Sequence, residues 1–335
     1  MAERWIDRAI AGRPELGLVP GRCAFRDAPP GKEHSRGFDY EYLSVRNEFR
    51  GVVCPACRAW YLDPRPAEHD FDRIYPDEYS AYAMTDSAER RAGLAFRAKA
   101  WLERRKIRRY ARFVAGVAGD VLDVGCGDGL LLDSFARAGF PREELVGIDF
   151  HPTAIALSRA KGYRVVTGSF ETAELPAGAY RLIVMNQLIE HLGDPLAALE
   201  KLRTLLVPGG HAFLETPNLA SPNARLAAHR YWGGYHYPRH LHLFSPATMR
   251  AALARAGLEL VEIRYLPCPV QWVLTINNWL KERRRPARFL IRFTDWRNPL
   301  LLGVFTLADL LLLPFGTANM QVVARRPAFS RETAR

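Results

Sequence analysis

Apolar residues in the middle of the chain follow two alternating patterns. Short continuous runs, such as VLDV at 121–124 and LIVM at 182–185, are typical of strands that are buried on both faces. Between these runs, apolar residues recur every three or four positions, as in helices that cover a sheet. The alternation predicts an α/β fold with a doubly wound, mostly parallel sheet. The predicted strands cover residues 121–124, 144–150, 163–167, 179–186 and 211–215, and the predicted helices begin near residues 130, 152, 196 and 246.

The first of these strands runs into a glycine turn. The sequence VLDVGCGDG places Asp123 in the strand and glycines at positions 125, 127 and 129, a composition that suits a tight bend beside a ligand. A dinucleotide-binding turn has the different spacing GxGxxG and binds a pyrophosphate. Because an acid precedes this turn, we expect it to repel pyrophosphate and to accept a cationic group. Asp149 ends the next strand, where a carboxylate can accept the hydroxyl protons of a ribose.

Four motifs follow one another in an order that resembles a known family. They are VLDVGCGDG, VGID with Asp149, NQLIEHLGDP at 186–195 and LVPGGH at 206–211. Over roughly residues 115–265 the chain resembles class I S-adenosylmethionine-dependent methyltransferases, and within them the ubiquinone/menaquinone-type group with a cysteine-containing N-terminal segment. The resemblance implies a seven-stranded Rossmann-like sheet and S-adenosylmethionine as cofactor.

The resemblance also implies which residues bind the cofactor. They are Asp123, Gly125, Gly127, Asp149, Phe150, Ser169, Phe170 and Asn186. The first three would surround the methionine moiety, Asp149 would bind the ribose, and Phe150 or Phe170 would cover the adenine. Relatives often carry an acid where Ser169 stands, so the contact to the adenine amino group departs from the family pattern there.

Two further strands, at 258–265 and 318–324, complete the predicted sheet and enclose an insertion. The methyltransferase domain would comprise residues 86–267 and 317–328, with an N-terminal segment at 1–85 and the insertion at 268–316. Residues 299–316 are nearly all apolar, but a helix over 300–313 would be about 20 Å long, too short for a hydrocarbon core of about 30 Å. We expect this segment to lie in a bilayer surface, to fold back, or to pack on protein, for example in a dimer contact.

The net charge of +11 is concentrated in two segments. Residues 88–116 hold ten Lys or Arg and two Glu, and residues 281–297 hold seven basic and two acidic residues. The first segment has helical spacing, so it is either an amphipathic helix packed on the sheet or a surface for anionic lipid headgroups. The second directly precedes the apolar segment, which fits attachment to a cytoplasmic leaflet.

The N-terminal segment carries a cysteine motif. Cys54 and Cys57 form a CPAC sequence, and the WYLDPRP run follows at 60–66. Related methyltransferases often carry two such cysteine pairs, which resembles a small zinc ribbon, but here Cys23 is all that remains of the first pair. Zinc in a structural site normally has four ligands, so His34 or Asp27 would have to complete the site. We expect a degenerate ribbon that packs without metal.

A histidine-rich segment, AHRYWGGYHYPRHLHLFS at 228–245, lies where such folds bind substrates. Three interpretations compete: a metal cluster, a structural loop, and an active-site lid. The structural interpretation suits His229 and His242. The lid interpretation is supported by similar Trp-Gly and Pro-Arg-His-Leu runs in related methyltransferases, and it involves Trp232, Tyr235, His236, Arg239 and His240.

Methyl transfer from a sulfonium requires alignment, and a hydroxyl acceptor also requires a base. Histidine is the natural base near neutral pH. His191 is the first candidate, with a capping role as its alternative, and His240 and His236 come next. Arg239 could bind an anionic group of the substrate. Some quinone O-methyltransferases have a Glu where Gln187 stands, which argues against metal assistance.

The acceptor is expected to be a small molecule, a glycan or a lipid-linked compound, methylated on oxygen. RNA methylation is the main alternative, but Asn186 is followed by Gln-Leu-Ile rather than the Pro-Pro-Tyr run that resembles base-amino methylation. A non-catalytic, membrane-associated binding protein is the other alternative. The five unevenly spaced cysteines and the charged N-terminus favour the cytoplasm, with contact to the inner face of the cytoplasmic membrane. The oligomeric state is left open.

Overall fold

The computed structural model describes residues 3–75, 94–227 and 230–328. Its strands in chain order are β1 (Leu18–Val19), β2 (Lys32–Gly37), β3 (Phe49–Val53), β4 (Trp60–Leu62), β5 (Arg65–Pro66), β6 (Asp120–Val124), β7 (Leu145–Asp149), β8 (Arg164–Thr167), β9 (Tyr180–Asn186), β10 (Leu206–Pro217), β11 (His242–Leu243), β12 (Glu259–Leu266) and β13 (Asn319–Arg325). The α-helices are α1 (Trp5–Ile10), α2 (Phe71–Ile74), α3 (Leu94–Phe113), α4 (Leu130–Arg137), α5 (Pro152–Ala160), α6 (Pro195–Leu205), α7 (Pro222–Leu226), α8 (Pro246–Arg255), α9 (Pro269–Lys281), α10 (Arg288–Phe293) and α11 (Pro299–Leu312). Short 3₁₀ turns lie at Glu68–Asp70, Arg142–Glu144, Ile189–His191, Gly233–Tyr235 and Leu313–Phe315.

The central sheet has seven strands in the order β8-β7-β6-β9-β10-β13-β12. The first five strands are parallel, and β13 runs antiparallel to both β10 and β12. The predicted doubly wound, mostly parallel sheet is therefore confirmed. Strand β10 begins at Leu206, earlier than predicted, because its register shifts between Leu206 and His211 around a glycine pair.

Alternate residues of the central strands pack on opposite faces of the sheet. Leu122 and Ile183 belong to a core formed with α6 and α8. Val121 and Leu182 belong to a second core formed with α3, α4 and α5. Helices thus cover both faces, and this leaves the carboxyl ends of the parallel strands as the edge where a ligand can bind.

Helix α3 packs one face on the sheet, as an amphipathic helix should. Ile107 and Tyr110 are fully buried. Lys106 forms an ion pair with Glu215 at 2.8 Å, and Arg109 forms one with Glu262 at 2.7 Å. Two of the positive charges that suggested a lipid or nucleic-acid surface are therefore used within the fold. The predicted apolar positions Leu94, Ala98 and Trp101 lie in the part of the helix whose side chains are not described.

The N-terminal segment shares a sheet with the histidine-rich segment. Strands β2, β3 and β4 form an antiparallel meander, and β11 adds to its edge through the pairs His242–Tyr61 and Leu243–Trp60. Trp60 also stacks on Tyr235 with ring centres 5.8 Å apart. The segment predicted as a separate unit over 1–85 therefore forms, in its described part, one structure with the cover of the strand edge; residues 76–93 lie outside the described ranges.

The insertion between β12 and β13 consists of α9, α10 and α11. Helix α11 packs on α9 through Phe305, whose ring stacks on Trp272 at 5.7 Å. Asp309 is buried and accepts hydrogen bonds from the Trp272 indole at 2.8 Å and the Cys268 amide at 2.6 Å. The single acid of the apolar helix thus faces protein. No helix within the described ranges combines the length and hydropathy that a membrane crossing requires.

Candidate active site

The glycine turn between β6 and α4 has the backbone of a ligand-binding bend. Gly125, Gly127 and Gly129 have positive φ values of 74°, 53° and 84°, which side-chain-bearing residues rarely adopt. A Cβ atom at Gly129 would lie 2.8 Å from the Ser158 hydroxyl, whereas one at Gly127 would meet no atom within 4 Å. The turn therefore packs tightly against α5 at Gly129 and leaves open space at Gly127.

Asp149 is fixed at the edge of this turn by two backbone amides. Its Oδ2 accepts a hydrogen bond from the Gly127 amide at 2.9 Å, and its Oδ1 accepts one from the His151 amide at 2.8 Å. A carboxylate oxygen can accept more than one hydrogen bond, so both oxygens retain capacity for ribose hydroxyls. The same contacts orient the carboxylate before any ligand arrives.

Asp123 is a buried acid beneath the turn. Burial raises its pKa to about 7, the nearby Lys106 works against this rise, and Asp149 adds to it. A carboxyl group held in this way is poorly stabilised as an anion. A ligand with an ammonium group would supply the missing positive charge.

Asn186 supplies a buried acceptor at the same edge. Register pairs Val124 with Met185, so Asn186 lies level with Gly125. Its Oδ1 is buried and has no hydrogen-bond partner within the described residues. An orphaned buried acceptor is costly unless a ligand donates to it. Together with the cradle at Gly127, it fits a ligand that carries both donors and positive charge.

The three residues predicted around the adenine differ in accessibility. Phe150 is 57% exposed and follows Asp149 directly, which suits a surface that covers a nucleobase. Phe170 is buried, and the Lys201 ammonium lies 5.2 Å from its ring centre. The Ser169 hydroxyl hydrogen-bonds to the Thr172 hydroxyl at 2.8 Å. The packing therefore favours Phe150 over Phe170 for the stacking role.

Three of the predicted histidines form one cluster. The ring centres of His191 and His240 are 4.7 Å apart, and those of His236 and His240 are 4.9 Å apart. His191 ends the 3₁₀ turn that follows β9, whereas the other two come from the histidine-rich segment. The Leu241 amide donates to the Glu190 carbonyl at 2.8 Å and ties the two segments together. The cluster thus connects the cofactor edge to the cover.

His191 is held as a neutral imidazole. Its Nδ1 lies 3.1 Å from both the Arg239 carbonyl oxygen and the Tyr75 hydroxyl. Because a carbonyl oxygen can only accept, we infer the tautomer with hydrogen on Nδ1, which leaves a lone pair on Nε2. Burial, with a further contribution from His236, lowers its pKa to about 3. His191 can accept a proton but holds it weakly.

His240 and Glu190 form the inner part of the cluster. His240 Nδ1 donates to the Gly234 carbonyl at 2.8 Å, and burial lowers the pKa of this histidine well below its usual value. Burial also raises the pKa of Glu190 to about 8. One ligand atom each from Glu190, His191 and His240 lie within 4.8 Å of one another, so these residues could hold a cation. This grouping is the only one near the cover that the described residues provide.

His236 differs from the other two because a carboxylate lies within hydrogen-bond distance of its ring, whereas His240 Nε2 comes no closer than 4.0 Å to the Glu190 carboxylate. His236 Nδ1 lies 2.7 Å from Glu41 Oε2. Both residues line a pocket between the N-terminal segment, the histidine-rich segment and α9. A carboxylate at Nδ1 orients the imidazole. The pocket wall therefore carries an imidazole–carboxylate pair.

The same pocket contains polar atoms without partners. Trp232 and Asn278 line it, and the Trp232 indole N–H and the Asn278 side-chain oxygen are buried without hydrogen-bond partners within the described residues. One is a donor and the other an acceptor. A ligand that offers a hydroxyl group could satisfy both.

Arg239 forms an ion pair inside the protein. It is 1% exposed and forms a two-pronged ion pair with Asp39, with distances of 3.0 and 3.1 Å. These contacts fix the guanidinium, and its contact with an anionic substrate stays a prediction. Tyr235 is likewise buried and packs between Trp60 and Trp232.

The structure describes one of the two histidines for which a structural role is predicted. His242 is buried in β11, and its Nε2 lies 3.3 Å from the Gly193 carbonyl. This agrees with a structural role. His229 lies outside the described residues.

Comparison with known proteins supports the cofactor assignment. Residues 97–263 match the profile of a family described as a methyltransferase domain. A ubiquinone biosynthesis O-methyltransferase from Acinetobacter baumannii (strain ACICU) is 32% identical over 182 residues, which cover 48% of this chain and 74% of that protein. The protein with the same description from Acinetobacter baylyi is 31% identical over 185 residues, which cover 49% of this chain and 73% of the relative.

The chain belongs to the class I S-adenosylmethionine-dependent methyltransferases. S-adenosylmethionine is accordingly its cofactor, and the ammonium group of the methionine moiety matches the buried acid and the orphaned acceptor described above. A solved S-adenosylmethionine-dependent methyltransferase from Archaeoglobus fulgidus is also similar, with 21% identity, a TM-score of 0.45, and coverage of 68% of this chain and 94% of that one.

The cysteines of this methyltransferase form a cluster with three members. The sulfur atoms of Cys23, Cys54 and Cys57 lie within 4.8 Å of one another, and those of Cys23 and Cys57 are 3.4 Å apart. Within the described residues neither His34 nor Asp27 joins this group. A structural zinc site normally has four protein ligands, so the set is one short.

Several residues at the methyltransferase site have no counterpart in the sequence-based prediction. Asp39, Glu41 and Tyr75 all come from the N-terminal segment, where no catalytic motif was recognised. The alternation of acidic and aromatic residues in FDYEY at 38–42 is the signal that could have drawn attention to them.

Proposed function

We propose that this methyltransferase transfers the methyl group of S-adenosylmethionine to an oxygen atom of a small-molecule, glycan or lipid-linked acceptor, with a histidine as base. The acceptor oxygen forms a bond to the methyl carbon as the bond from sulfur breaks, and the hydroxyl proton passes to an imidazole. S-adenosylhomocysteine and the methylated acceptor leave the site. The similarity to ubiquinone biosynthesis O-methyltransferases supports oxygen as the methylated atom.

The observation that carries the proposal is the contact between His236 and Glu41. The distance of 2.7 Å fits an Nδ1–H group that donates to the carboxylate, so Nε2 is the nitrogen that would accept the proton. His236 lies in the pocket wall, whereas His191 is low in basicity because of burial. We therefore propose His236 as the base, with His191 and His240 positioning the acceptor and carrying the proton onward.

The proposed binding place for the acceptor hydroxyl is this pocket, whose volume of about 10 Å³ admits a single hydroxyl group and leaves the rest of the acceptor outside it. The indole N–H of Trp232 and the side-chain oxygen of Asn278 would bind it, and Tyr235 would shape the wall behind Trp232. RNA is less well supported, because Lys106 and Arg109 of the basic helix form ion pairs within the protein.

The proposed location is the cytoplasm, at the inner face of the membrane when the acceptor is lipid-linked. Support comes from the five cysteines, all of which are free thiols, as in a reducing compartment. We also propose that Cys23, Cys54 and Cys57 pack without zinc. Elemental analysis of the purified protein should find well under one zinc per chain; stoichiometric zinc that resists dialysis would contradict this.

A divalent cation is the second candidate for activating the acceptor, because Glu190, His191 and His240 are close enough to hold one. A bound cation would lower the pKa of the acceptor hydroxyl. Chelator treatment followed by readdition of magnesium or zinc separates the two candidates. Activity that survives chelation supports the histidine base, and activity that returns only with metal supports the cation.

The proposed reaction can be tested with methyl-labelled S-adenosylmethionine and separate lipid, glycan, small-molecule and RNA extracts. We expect the label to enter a non-nucleic-acid fraction and to be found as an O-methyl group in the purified product. Label on nitrogen or carbon, or in RNA, would overturn the proposal. Calorimetric titration with S-adenosylmethionine first establishes that the preparation binds cofactor.

A further inference from the structure

The insertion exposes several large apolar side chains to solvent. Helix α10 contributes Phe289, which is 69% exposed, the apolar helix α11 contributes Leu311 at 79%, and the 3₁₀ turn after it contributes Phe315 at 77%. Leu300, Val304 and Leu307 are also exposed. We call these six residues the insertion surface. Large apolar side chains grouped in this way mark an interaction site rather than ordinary surface variation.

The exposed residues of α11 follow the period of a helix. Positions 300, 304, 307 and 311 are spaced by four, three and four residues, so their side chains lie along one face. The opposite face packs on α9 through Phe305 and the hydrogen-bonded Asp309. One face of the helix is thus held against α9, and the opposite apolar face is exposed to solvent.

Arginines are concentrated in the segment between α9 and α11. Arg283, Arg284, Arg285, Arg288, Arg292 and Arg297 are all exposed. Residues 283–316 contain only two acids, Asp295 and Asp309, and Asp309 is buried. A symmetric contact with a second copy of the chain would bring arginines against arginines. The net positive charge of this segment therefore favours an anionic partner.

We propose that the insertion surface docks on an anionic lipid bilayer. The apolar face of α11 and the phenylalanines would enter the interface, and the arginines would bind headgroup phosphates. Helix α11 has 14 residues, a length that suits a helix lying in the plane of the interface. Docking requires no methyl transfer, so it goes beyond the proposed reaction.

The docked insertion would hold the acceptor pocket close to the bilayer. On its inner side α9 contacts the histidine-rich segment: the Thr275 hydroxyl accepts from the Gly233 amide at 3.0 Å, and the Asn278 side chain donates to the Tyr231 carbonyl at 3.1 Å. Glu282, the residue after α9, forms an ion pair with Arg230 at 3.0 Å. This arrangement fits an acceptor that is delivered from the membrane.

The test is flotation of the full-length protein with two kinds of vesicle. One contains phosphatidylcholine only, and the other contains phosphatidylcholine mixed with phosphatidylglycerol. We expect the partition coefficient to be at least about tenfold higher for the anionic vesicles and to fall at high salt, because the arginines are exposed to screening. Equal partition into the two kinds, or none into either, would overturn the proposal.

Two variants with matched controls identify the surface. Leu311→Glu should reduce binding at least about tenfold, whereas Leu226→Glu, at a leucine that is 74% exposed outside the insertion, should not. The double substitution Arg288→Glu and Arg292→Glu should also reduce vesicle binding at least about tenfold. The control Arg250→Glu with Arg255→Glu makes the same change in charge on α8 and should not reduce binding. Cofactor binding by calorimetry verifies that each variant is folded.

A different partner would produce a different result. If the wild-type protein sediments as a dimer without lipid and Leu311→Glu makes it a monomer, the surface is a contact between copies and the proposal fails. If the control variants lose as much vesicle binding as the insertion variants, binding is unspecific and the proposal fails as well. None of these outcomes depends on which acceptor is methylated.

Discussion

The cofactor side and the acceptor side of the site are built in different ways. The proposed cofactor side consists of the glycine turn, Asp149 and Asn186, all at the carboxyl ends of adjacent parallel strands, and its shape is set by the backbone conformation of the turn and by the Gly127 amide that holds Asp149. The proposed acceptor side lies between the N-terminal segment, the histidine-rich segment and the insertion. Its important contacts join side chains about two hundred residues apart, such as Glu41 and His236.

This difference explains where specificity can reside. A turn made of backbone binds the same methyl donor in many proteins, because few side chains contribute to it. A pocket assembled from three separate segments can change its shape without disturbing the turn. We therefore expect substitutions on the acceptor side to alter catalysis while leaving cofactor affinity intact, and the reverse for the cofactor side.

The largest expected effect on rate is at His236. Substitution His236→Asn keeps a residue that tolerates the positive φ of 40° at this position but removes the base. We expect kcat to fall about 10²–10⁴-fold, with the Kd for S-adenosylmethionine unchanged. Steady-state kinetics and calorimetry measure the two quantities. His69→Asn is the matched control, since His69 lies on the exposed surface of the N-terminal segment.

The same experiment distinguishes His236 from His191. If His191→Ala costs as much as or more than His236→Asn while cofactor binding is retained, the base is His191 and the first assignment from sequence holds. A loss of cofactor affinity in His236→Asn would instead show that the two sides of the site are not separable.

A large effect on stability is expected at Asp39. Burial works to raise the pKa of this carboxyl, but Arg239 and Ser44 outweigh it and hold the pKa below its usual value. Asp39→Ala would leave the Arg239 guanidinium buried without its counter-ion, which costs about 3–5 kcal/mol. Denaturant unfolding followed by circular dichroism measures the change.

The control is a surface ion pair. Glu15→Ala breaks the ion pair between Glu15 and Arg46, whose side chains are 58% and 53% exposed. This substitution should lower the free energy of unfolding by no more than about 1 kcal/mol. If Asp39→Ala proves equally mild and loses no activity, the ion pair does not support the histidine-rich segment.

The central sheet and the cofactor side could be predicted from sequence because their determinants are local. Strand periodicity, glycine spacing and an acid at the next strand end all lie within about thirty residues, and the register of parallel strands brings Asp123, Asp149 and Asn186 to one edge. Even here, packing decided a detail that pattern could not: Phe170 is buried, whereas Phe150 is exposed.

The acceptor side could be predicted only in part. The histidines stand out by composition, but nothing local indicates that Glu41 reaches His236 or that Asp39 neutralises Arg239. Both contacts depend on β11 joining the N-terminal sheet, a pairing between short strands with little sequence signal. The ion-pair partner of Arg239 cannot be read from local sequence, because Asp39 lies two hundred residues away.

The cofactor side should respond to Asp149→Ala with a loss of about 2 kcal/mol in binding free energy for S-adenosylmethionine. The substitution removes the proposed ribose contact and releases the Gly127 and His151 amides that hold the turn. Asp120→Ala, at the other end of β6 and paired with Arg164, is the matched control and should bind cofactor normally. Unchanged affinity in Asp149→Ala would place the ribose elsewhere.

The smallest expected effect is a pH dependence of cofactor binding caused by Asp123. Its pKa of about 7 lies above the usual 3.8, so the unliganded fold binds this proton more tightly than the unfolded chain, and that contribution to stability is lost as pH rises from about 4 to 7. The ligand ammonium has the opposite preference, because it favours the ionised carboxylate. Binding should therefore release a proton, and affinity should fall about fivefold from pH 7 to pH 6, a range in which the ammonium stays charged.

Calorimetry in two buffers with different ionisation enthalpies measures this proton release directly. Asp123→Asn provides the comparison, because it cannot titrate and should bind weakly with no dependence on pH over the same range. If both proteins show the same pH dependence, another group on the cofactor side is responsible. If neither shows any, Asp123 stays ionised without ligand, and the buried acid then owes its charge to Lys106, the only cation among the influences on its pKa.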